Sequence, residues 1–227
     1  MNVLTSQTPE AWNAYVRSFA GWDIYYLCEY AVSLKLHGDG DPLLLCFEHG
    51  AERMCYVVMR SDIADDPRFH GLLPAGRLYD LETPYGYGGP LTDAPLSPEA
   101  QQIFMEELRA YCLEQRIVTQ FLRYHPLLDN HGAVSPMTDT RYLRDTIYMD
   151  TASPELILAN MDSKNRNMVR KAQRSGITVR EASMSEYAPF LELYRQTMAK
   201  HSAEDYYTFG TSYFDYLSEH LSDHAFL

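Results

Sequence analysis

Lys164, Arg166, Arg170, Lys171 and Arg174 fall within the fifteen positions from Asp162 to Gly176 of a 227-residue chain whose formal net charge is -12 at pH 7. The whole chain has 19 Lys and Arg, so the clustering is local, and a basic island on an acidic protein offers charge to an anionic ligand. Arg166, Arg170 and Arg174 recur every four residues, which predicts three guanidinium groups in one row along a helix. The plain alternative is a solvated helix face balanced by the acidic remainder.

Three further places hold residue types with chemistry. The run Tyr85-Gly86-Tyr87-Gly88-Gly89-Pro90 combines backbone freedom with aromatic surface. Tyr85 and Tyr87 either line a substrate or simply pack on a sheet. Glu204, Asp205 and Tyr207 carry groups that orient or deprotonate an amine, although Ser202 to Gly210 reads equally as a loop between helices. His125, before Pro126, is either a general base at a strand end or a satisfied loop histidine. Cys28, Cys46, Cys55 and Cys112 form no CxxC pair and have no His at metal spacing. Reduced buried thiols are expected, with neither disulfide framework nor metal site.

Composition narrows the classes. With 46% hydrophobic residues the chain can bury a sizeable core. No run approaches the roughly 18 apolar residues of a membrane span, and MNVLTSQTPE lacks the features of a secretory leader. A cytoplasmic location without a membrane span is expected. The acidic balance argues against sequence-independent coating of nucleic acid, and no DNA partner is expected, though one basic helix can hold a few phosphates.

The elements that position these residues follow from local signals. Thr8-Pro9-Glu10, Ser97-Pro98-Glu99 and Ser153-Pro154-Glu155 each offer an N-cap hydroxyl, a proline suited to the first turn and a carboxylate at the positive end of the helix dipole. They predict helices over Ala11 to Ala20, from Ser97 to near Gln115, and from Ser153 to about Ser175, the last stopped by Gly176. Leu43 to Phe47 and Met54 to Arg60 read as a hairpin across the polar stretch 48–53. Leu78 to Leu81, Val118 to Tyr124, Arg141 to Asp150 and Ile177 to Arg180 read as strands. Glu186 to His201 and Tyr213 to Leu221 read as helices. The order is α/β with a mixed sheet, an α+β arrangement.

The glycine and tyrosine loop at 85–90, the pattern Lys164-x-Arg166-x-x-x-Arg170-Lys171 ending at Gly176, and Tyr206-Tyr207-Thr208-Phe209-Gly210 with Tyr213 together resemble the FemABX group, acyltransferases related to the GNAT (Gcn5-related N-acetyltransferase) superfamily. The resemblance implies two GNAT-like domains, the first ending near Asp150 and the second, over 151–227, opening with the basic helix. Family members are usually longer. With the apolar ending Ala225-Phe226-Leu227, this implies a truncated second domain in a fragment of a longer gene product.

The same resemblance implies transfer of an acyl or aminoacyl group to an amine, with acyl-CoA or aminoacyl-tRNA as donor substrate and no bound cofactor. The acceptor it suggests is a peptidoglycan or other cell-envelope precursor. Lys164, Arg166, Arg170 and Lys171, with Tyr85 and Tyr87, would then hold an anionic small-molecule or nucleotide-linked substrate, or tRNA. Such chemistry needs a neutral amine near the donor carbonyl, a proton acceptor and oxyanion donors, but no covalent nucleophile. The nearest approach to the R/Q-x-x-G-x-G/A pyrophosphate loop of GNAT enzymes, Gln173 to Thr178, lies at the negative end of a helix and is rejected as a CoA loop. The loop is therefore expected beyond Leu227, or the donor is not CoA. The competing class is a non-catalytic GNAT-fold module whose basic helix docks RNA or an acidic partner.

Overall fold

The computed structural model describes residues 1–69, 71–134 and 137–227. Packing divides the chain into two units, Met1–Thr140 with Ser183–Leu227, and Arg141–Ala182.

The first unit is built on a hairpin. Strands β2 (Asp41–His49) and β3 (Glu52–Asp62) pair antiparallel from Asp41↔Arg60 to His49↔Glu52. The six-residue polar stretch thus contracts to a two-residue turn, with Gly50 at φ +61°. Side chains alternate across the strands, yet both sets are buried, which is why each run reads as almost continuously apolar. Leu44, Cys46, Cys55, Val57 and Met59 face one core, while Leu43, Leu45, Phe47, Met54, Tyr56 and Val58 face another.

Helices cover both faces. α1 (Pro9–Arg17) and α2 (Cys28–His37) lie on the first, with α6 (Tyr187–Lys200) and α7 (Thr211–His220). They contribute Trp12, Val16, Ala31, Leu34, Leu191, Phe214 and Leu217. Trp12 is fully buried, and its indole N–H, which cannot be left unpaired there, donates to Tyr26 O at 2.8 Å. α3 (Pro98–Gln115) covers the other face through Ala100 and Phe104.

The remaining strands are β1 (Asn2–Thr5), β4 (Tyr79–Glu82), β5 (Leu91–Thr92) and β6 (Ile117–Phe121). The sheet runs β1-β2-β3-β4-β6, with β5 also on β3; β4 and β6 are parallel and the other pairs antiparallel. β4 pairs the C-terminal end of β3 (Met59 to Asp62) and β5 the N-terminal end (Met54, Cys55). Between those two ladders the chain from Thr83 to Pro90 turns toward the continuation of β6. Thr83 N–H donates to Phe121 O at 3.0 Å, and Gly88 N–H to Arg123 O at 2.9 Å. The mixed α/β class expected from the sequence is therefore present, as a six-stranded mixed sheet with seven α-helices among the described residues.

The second unit holds α4 (Pro154–Asn160) and α5 (Ser163–Arg174). The sequence predicts one helix from Ser153 to Ser175. It is broken at Met161 because the Asp162 carboxylate accepts the Asn165 N–H at 2.8 Å and starts a new helix. Gly176 closes α5 with φ +74°, as the sequence implies. Of the three Pro-containing N-termini, Ser97 and Ser153 cap as expected, accepting from Ala100 N at 3.2 Å and Leu156 N at 3.1 Å. Thr8 makes no such bond because its hydroxyl donates to Thr5 O at 3.4 Å.

Two expected strands are not formed. Arg141 to Asp150 and Ile177 to Arg180 carry no ladder, and Ile147 and Val179 are each 95% exposed. Alternating or apolar composition makes a strand only where a partner edge supplies hydrogen bonds, and no strand lies in Arg141–Ala182. Ser183–Leu227 packs with the N-terminal sheet, since Phe214 and Leu217 of α7 enter the same core as Leu34 of α2.

Among the described residues no helix is long and apolar enough to cross a membrane.

Candidate functional site

Three segments of the first unit meet on one aromatic surface. The first is the α2–β2 connection, where Gly38 ends the helix at φ +115° and sends His37 and Asp39 outward. The second is the loop after β4, which carries Tyr85 and Tyr87. The third is the single 3-10 turn Asp205–Tyr207 leading to Phe209 and α7.

Their rings interlock. Tyr85 lies 5.8 Å from Tyr206, 6.3 Å from Tyr207 and 6.1 Å from Phe209, centroid to centroid. His37 stacks on Phe209 at 4.2 Å. Hydrogen bonds fix the surface to the scaffold. Tyr30 Oη donates to Tyr85 O at 2.8 Å, and Tyr194 Oη to Tyr207 O at 2.6 Å. His37 Nε2 contacts Tyr206 O at 2.7 Å; a carbonyl only accepts, so Nε2 carries the proton. Tyr206 Oη donates to Asp39 Oδ2 at 3.1 Å. Both sequence-flagged aromatic loops, separated by more than a hundred residues, therefore share one site.

Its acids are held out of their ordinary range. Burial pushes the Asp39 carboxyl up, against the lowering effects of Tyr206 Oη and His37. Glu82, at the end of β4, is also raised, first by desolvation and then by the charges of Asp39 and Asp80, with Arg123 opposing. The Tyr206 phenol is raised by burial and by Asp39 and Glu82. Tyr213, beneath the ring cluster, is pushed up to about 12 by burial, with Ser33 opposing.

Beside this surface, Tyr25 contacts Tyr30, Tyr87 and His125 at 5.4, 6.1 and 6.0 Å. His125 accepts the Leu127 N–H on Nδ1 at 3.1 Å and contacts Asp23 Oδ2 through Nε2 at 2.9 Å. Nδ1 is therefore unprotonated and Nε2–H donates to the carboxylate. With both ring nitrogens engaged, His125 orients the loop and has no free lone pair for a substrate proton. Desolvation raises Asp23, against bonds from Tyr25 N–H and His125.

Underneath is Asn130, buried at 7% exposure. Its Nδ2 donates to Gly88 O at 2.8 Å and Tyr26 Oη at 3.2 Å, and its Oδ1 accepts from His125 N at 3.1 Å. One amide thus ties the loop after β4, the end of β6 and the turn before α2. Gly86 and Gly89 are required above it. Gly86 has φ +108° and an added Cβ would lie 2.5 Å from Tyr25 Cε1; at Gly89, φ +87°, the nearest atom would be Tyr124 Cδ1 at 2.8 Å.

The sequence-flagged residues fall as follows. Tyr85 and Tyr207 are in the ring cluster, and Tyr87 packs against Tyr25 and His125. Glu204 and Asp205 are exposed, and their backbone carbonyls accept from Tyr207 N and Thr208 N. Lys164, Arg166, Arg170 and Lys171 lie on α5, in the second unit. Arg166 departs from the expected row: its Nη1 donates to Leu158 O at 3.3 Å, Ala159 O at 3.4 Å and Met161 O, satisfying carbonyls left open at the end of α4. At 100° per residue, Lys164, Arg170, Lys171 and Arg174 occupy an arc of about 120° on α5, and Arg166 projects outside it. The basic strip therefore comprises these four. Asp23, His37, Asp39, Glu82 and Asn130 carry no local motif, and sequence reading does not single them out.

Residues 129–227 match the model of the FemAB family. At the level of the family this supports a transferase of the aminoacyl type associated with peptidoglycan. The matched stretch includes Asn130, the basic strip and Tyr206 to Phe209, whereas Tyr85 and Tyr87 lie outside it. No curated protein and no solved structure matches the chain.

Proposed function

We propose that this protein transfers an aminoacyl or acyl group from a polyanionic donor, aminoacyl-tRNA or acyl-CoA, onto an amine of a cell-envelope precursor. The observation that carries this reading is the meeting of the Tyr85 loop with Tyr206 and Tyr207 beside the carboxylates of Asp39 and Glu82, in a chain whose residues 129–227 match a transferase family.

The chemistry is balanced without a covalent enzyme intermediate. The neutral amine nitrogen attacks the ester or thioester carbonyl and a C–N bond forms. The C–O or C–S bond breaks, and the tRNA hydroxyl or CoA thiol leaves with a proton. A carboxyl group raised toward the working pH is suited to relay that proton from the amine to the leaving group. Asp39 and Glu82 have that environment; Glu204 and Asp205, next to Tyr207, are the exposed acids of the same loop and are kept as alternatives. Lys164, Arg170, Lys171 and Arg174 give a polyanionic substrate four charges on one helix face, where several phosphate contacts add.

The test is turnover by the full chain, with labelled aminoacyl-tRNA and acyl-CoA offered in parallel and a nucleotide-linked peptidoglycan precursor as acceptor. Label appearing on the precursor from either donor supports the reading. No product from either, together with salt-sensitive RNA binding abolished by Arg170→Gln/Lys171→Gln, would establish instead the non-catalytic module that the basic strip also fits.

A further inference from the structure

At the end of β4 away from the Tyr85 loop, two arginines gather on one ring. Tyr79, the first residue of β4, packs on the α3 side of the sheet. Arg60 of β3 lays its guanidinium over the Tyr79 ring at 4.2 Å, and the Arg116 guanidinium lies 6.0 Å from the same centroid. Among the described residues neither pairs with a carboxylate or donates a side-chain hydrogen bond. Arg53, Arg68 and Arg166 differ, being engaged by Asp93, Asp66 and the carbonyls at the end of α4. A guanidinium stacked on a ring keeps its N–H groups in one plane, open at their outer edge to an acceptor.

Arg116 also stands where an arginine is unfavourable. It ends α3 in the left-handed region, at φ 59° and ψ 37°, which glycine adopts without strain and a residue with a Cβ does not. Its N–H closes the helix on Cys112 O and Leu113 O, and its carbonyl accepts from Tyr79 N at 3.0 Å. Glycine would make the same backbone bonds, so the fold does not require this side chain. The nearby acids are Asp62, opposite Tyr79 on β3, and Glu114 beside Tyr111. The Asp62 carboxylate is occupied by the Ala64 and Gly76 N–H groups. Arg60 also acts on the Tyr111 phenol, opposing the upward push of burial there.

We propose that Arg60 and Arg116, arrayed on the Tyr79 ring at the start of β4, form a binding site for a phosphoryl group. Two guanidinium forks match the several acceptor oxygens of a phosphoryl group, whereas a carboxylate has oxygens for one fork. The site lies at the opposite end of β4 from the aromatic surface, and it needs neither the donor nor the acceptor of the transfer reaction.

The probe is inorganic phosphate, titrated into the full chain by NMR at constant ionic strength, with acetate and ADP in parallel arms. Saturable phosphate binding is expected, with shifts at the Tyr79 and Tyr111 ring signals and at least about tenfold weaker binding of acetate. Arg60→Gln should weaken phosphate binding by at least about tenfold. Arg116→Gly should weaken it to a similar extent and leave the thermal midpoint no lower than that of the parent, since the backbone strain goes with the side chain. Phosphate binding as tightly as ADP or more so makes the free ion the ligand, and tighter ADP makes it a nucleotide; both support the site. Equal affinity for acetate, shifts confined to Arg170 and Lys171 on α5, or unchanged phosphate affinity in Arg116→Gly would overturn it. An Arg116→Gly chain that loses binding and also melts below the parent would overturn it too, because the arginine would then serve the fold.

Discussion

Asn130 donates from Nδ2 to the carbonyl of Gly88 at 2.8 Å. Through that bond the first residue of a 3-10 turn beyond β6 fixes a loop 42 positions earlier in the chain. The same side chain accepts from His125 N–H and donates to Tyr26 Oη. A Gln would reach too far, and an Asp would set an oxygen against the Gly88 carbonyl.

Replacing Asn130 with Ala leaves Gly88 O with the His125 N–H alone and removes the partner of a buried tyrosine hydroxyl. An unsatisfied buried group costs about 1–3 kcal/mol, and a loss of that size is expected. For a chain of this size that lowers the thermal midpoint by roughly 2–12 °C. A midpoint within a degree of the parent would show that the amide does not hold the loop.

Gly86→Ala tests the loop from above. The substitution combines a strained positive φ with a Cβ 2.5 Å from the Tyr25 ring, and should cost about 1–3 kcal/mol and shift the Tyr25 and Tyr85 signals together. Gly50→Ala is the control: its φ is +61° but nothing lies within 4 Å of an added Cβ. It should cost about 1–2 kcal/mol and leave those signals in place.

These positions show what could be read from the chain. The β2–β3 hairpin was legible because its apolar runs and polar turn are contiguous, and the Tyr85 and Tyr206 loops because glycine and tyrosine composition is local. Asp39, Glu82 and Asn130 were not, since a carboxylate after a helix or an asparagine in a loop is ordinary until the fold brings it to a ring or a carbonyl. Arg141 to Asp150 misled for the opposite reason, as β-prone residues say nothing of whether an edge exists to receive them. The break before α5 was available in principle: Asp162 followed three residues on by Asn165 is an N-cap signal, overridden by the apolar stripe running through Met161.

Cysteine reactivity should follow burial. Desolvation pushes the Cys28 and Cys46 thiols up to about 12 and raises Cys55 and Cys112 as well, so little thiolate is present at pH 8. Cys112 alone among the four is partly exposed. Native alkylation with iodoacetamide followed by peptide mass mapping should label Cys112 first. Early labelling of Cys46 or Cys55, which face each other across β2 and β3, would contradict the packing of that face.

The arginines of the second unit should separate. Arg170→Gln and Lys171→Gln remove exposed charge, so they should weaken polyanion affinity, flatten its salt dependence and leave thermal stability nearly unchanged. Arg166→Gln instead removes a guanidinium that satisfies the carbonyls of Leu158, Ala159 and Met161. It should reduce hydrogen-exchange protection where α4 meets α5, with a smaller effect on the salt slope than either neighbour. If all three variants behave alike, Arg166 belongs to the strip after all.

Asp39 makes folding stability depend on pH. Its carboxyl is raised by burial, as is that of Glu82 by desolvation and neighbouring acids, so the folded state holds these protons more tightly than the unfolded chain does. Their contribution favours folding below the ordinary carboxylate value of about 4 and is withdrawn as pH rises from there through their raised folded values. Asp39→Asn removes the charge whose desolvation is unfavourable. It should therefore raise the thermal midpoint at pH 7 relative to the parent, and the gain should shrink as the pH is lowered toward 4 and the parent takes up its proton. Paired melting curves at the two pH values check this. A variant less stable at pH 7 would mean that the Tyr206 hydroxyl bond outweighs the desolvation of Asp39.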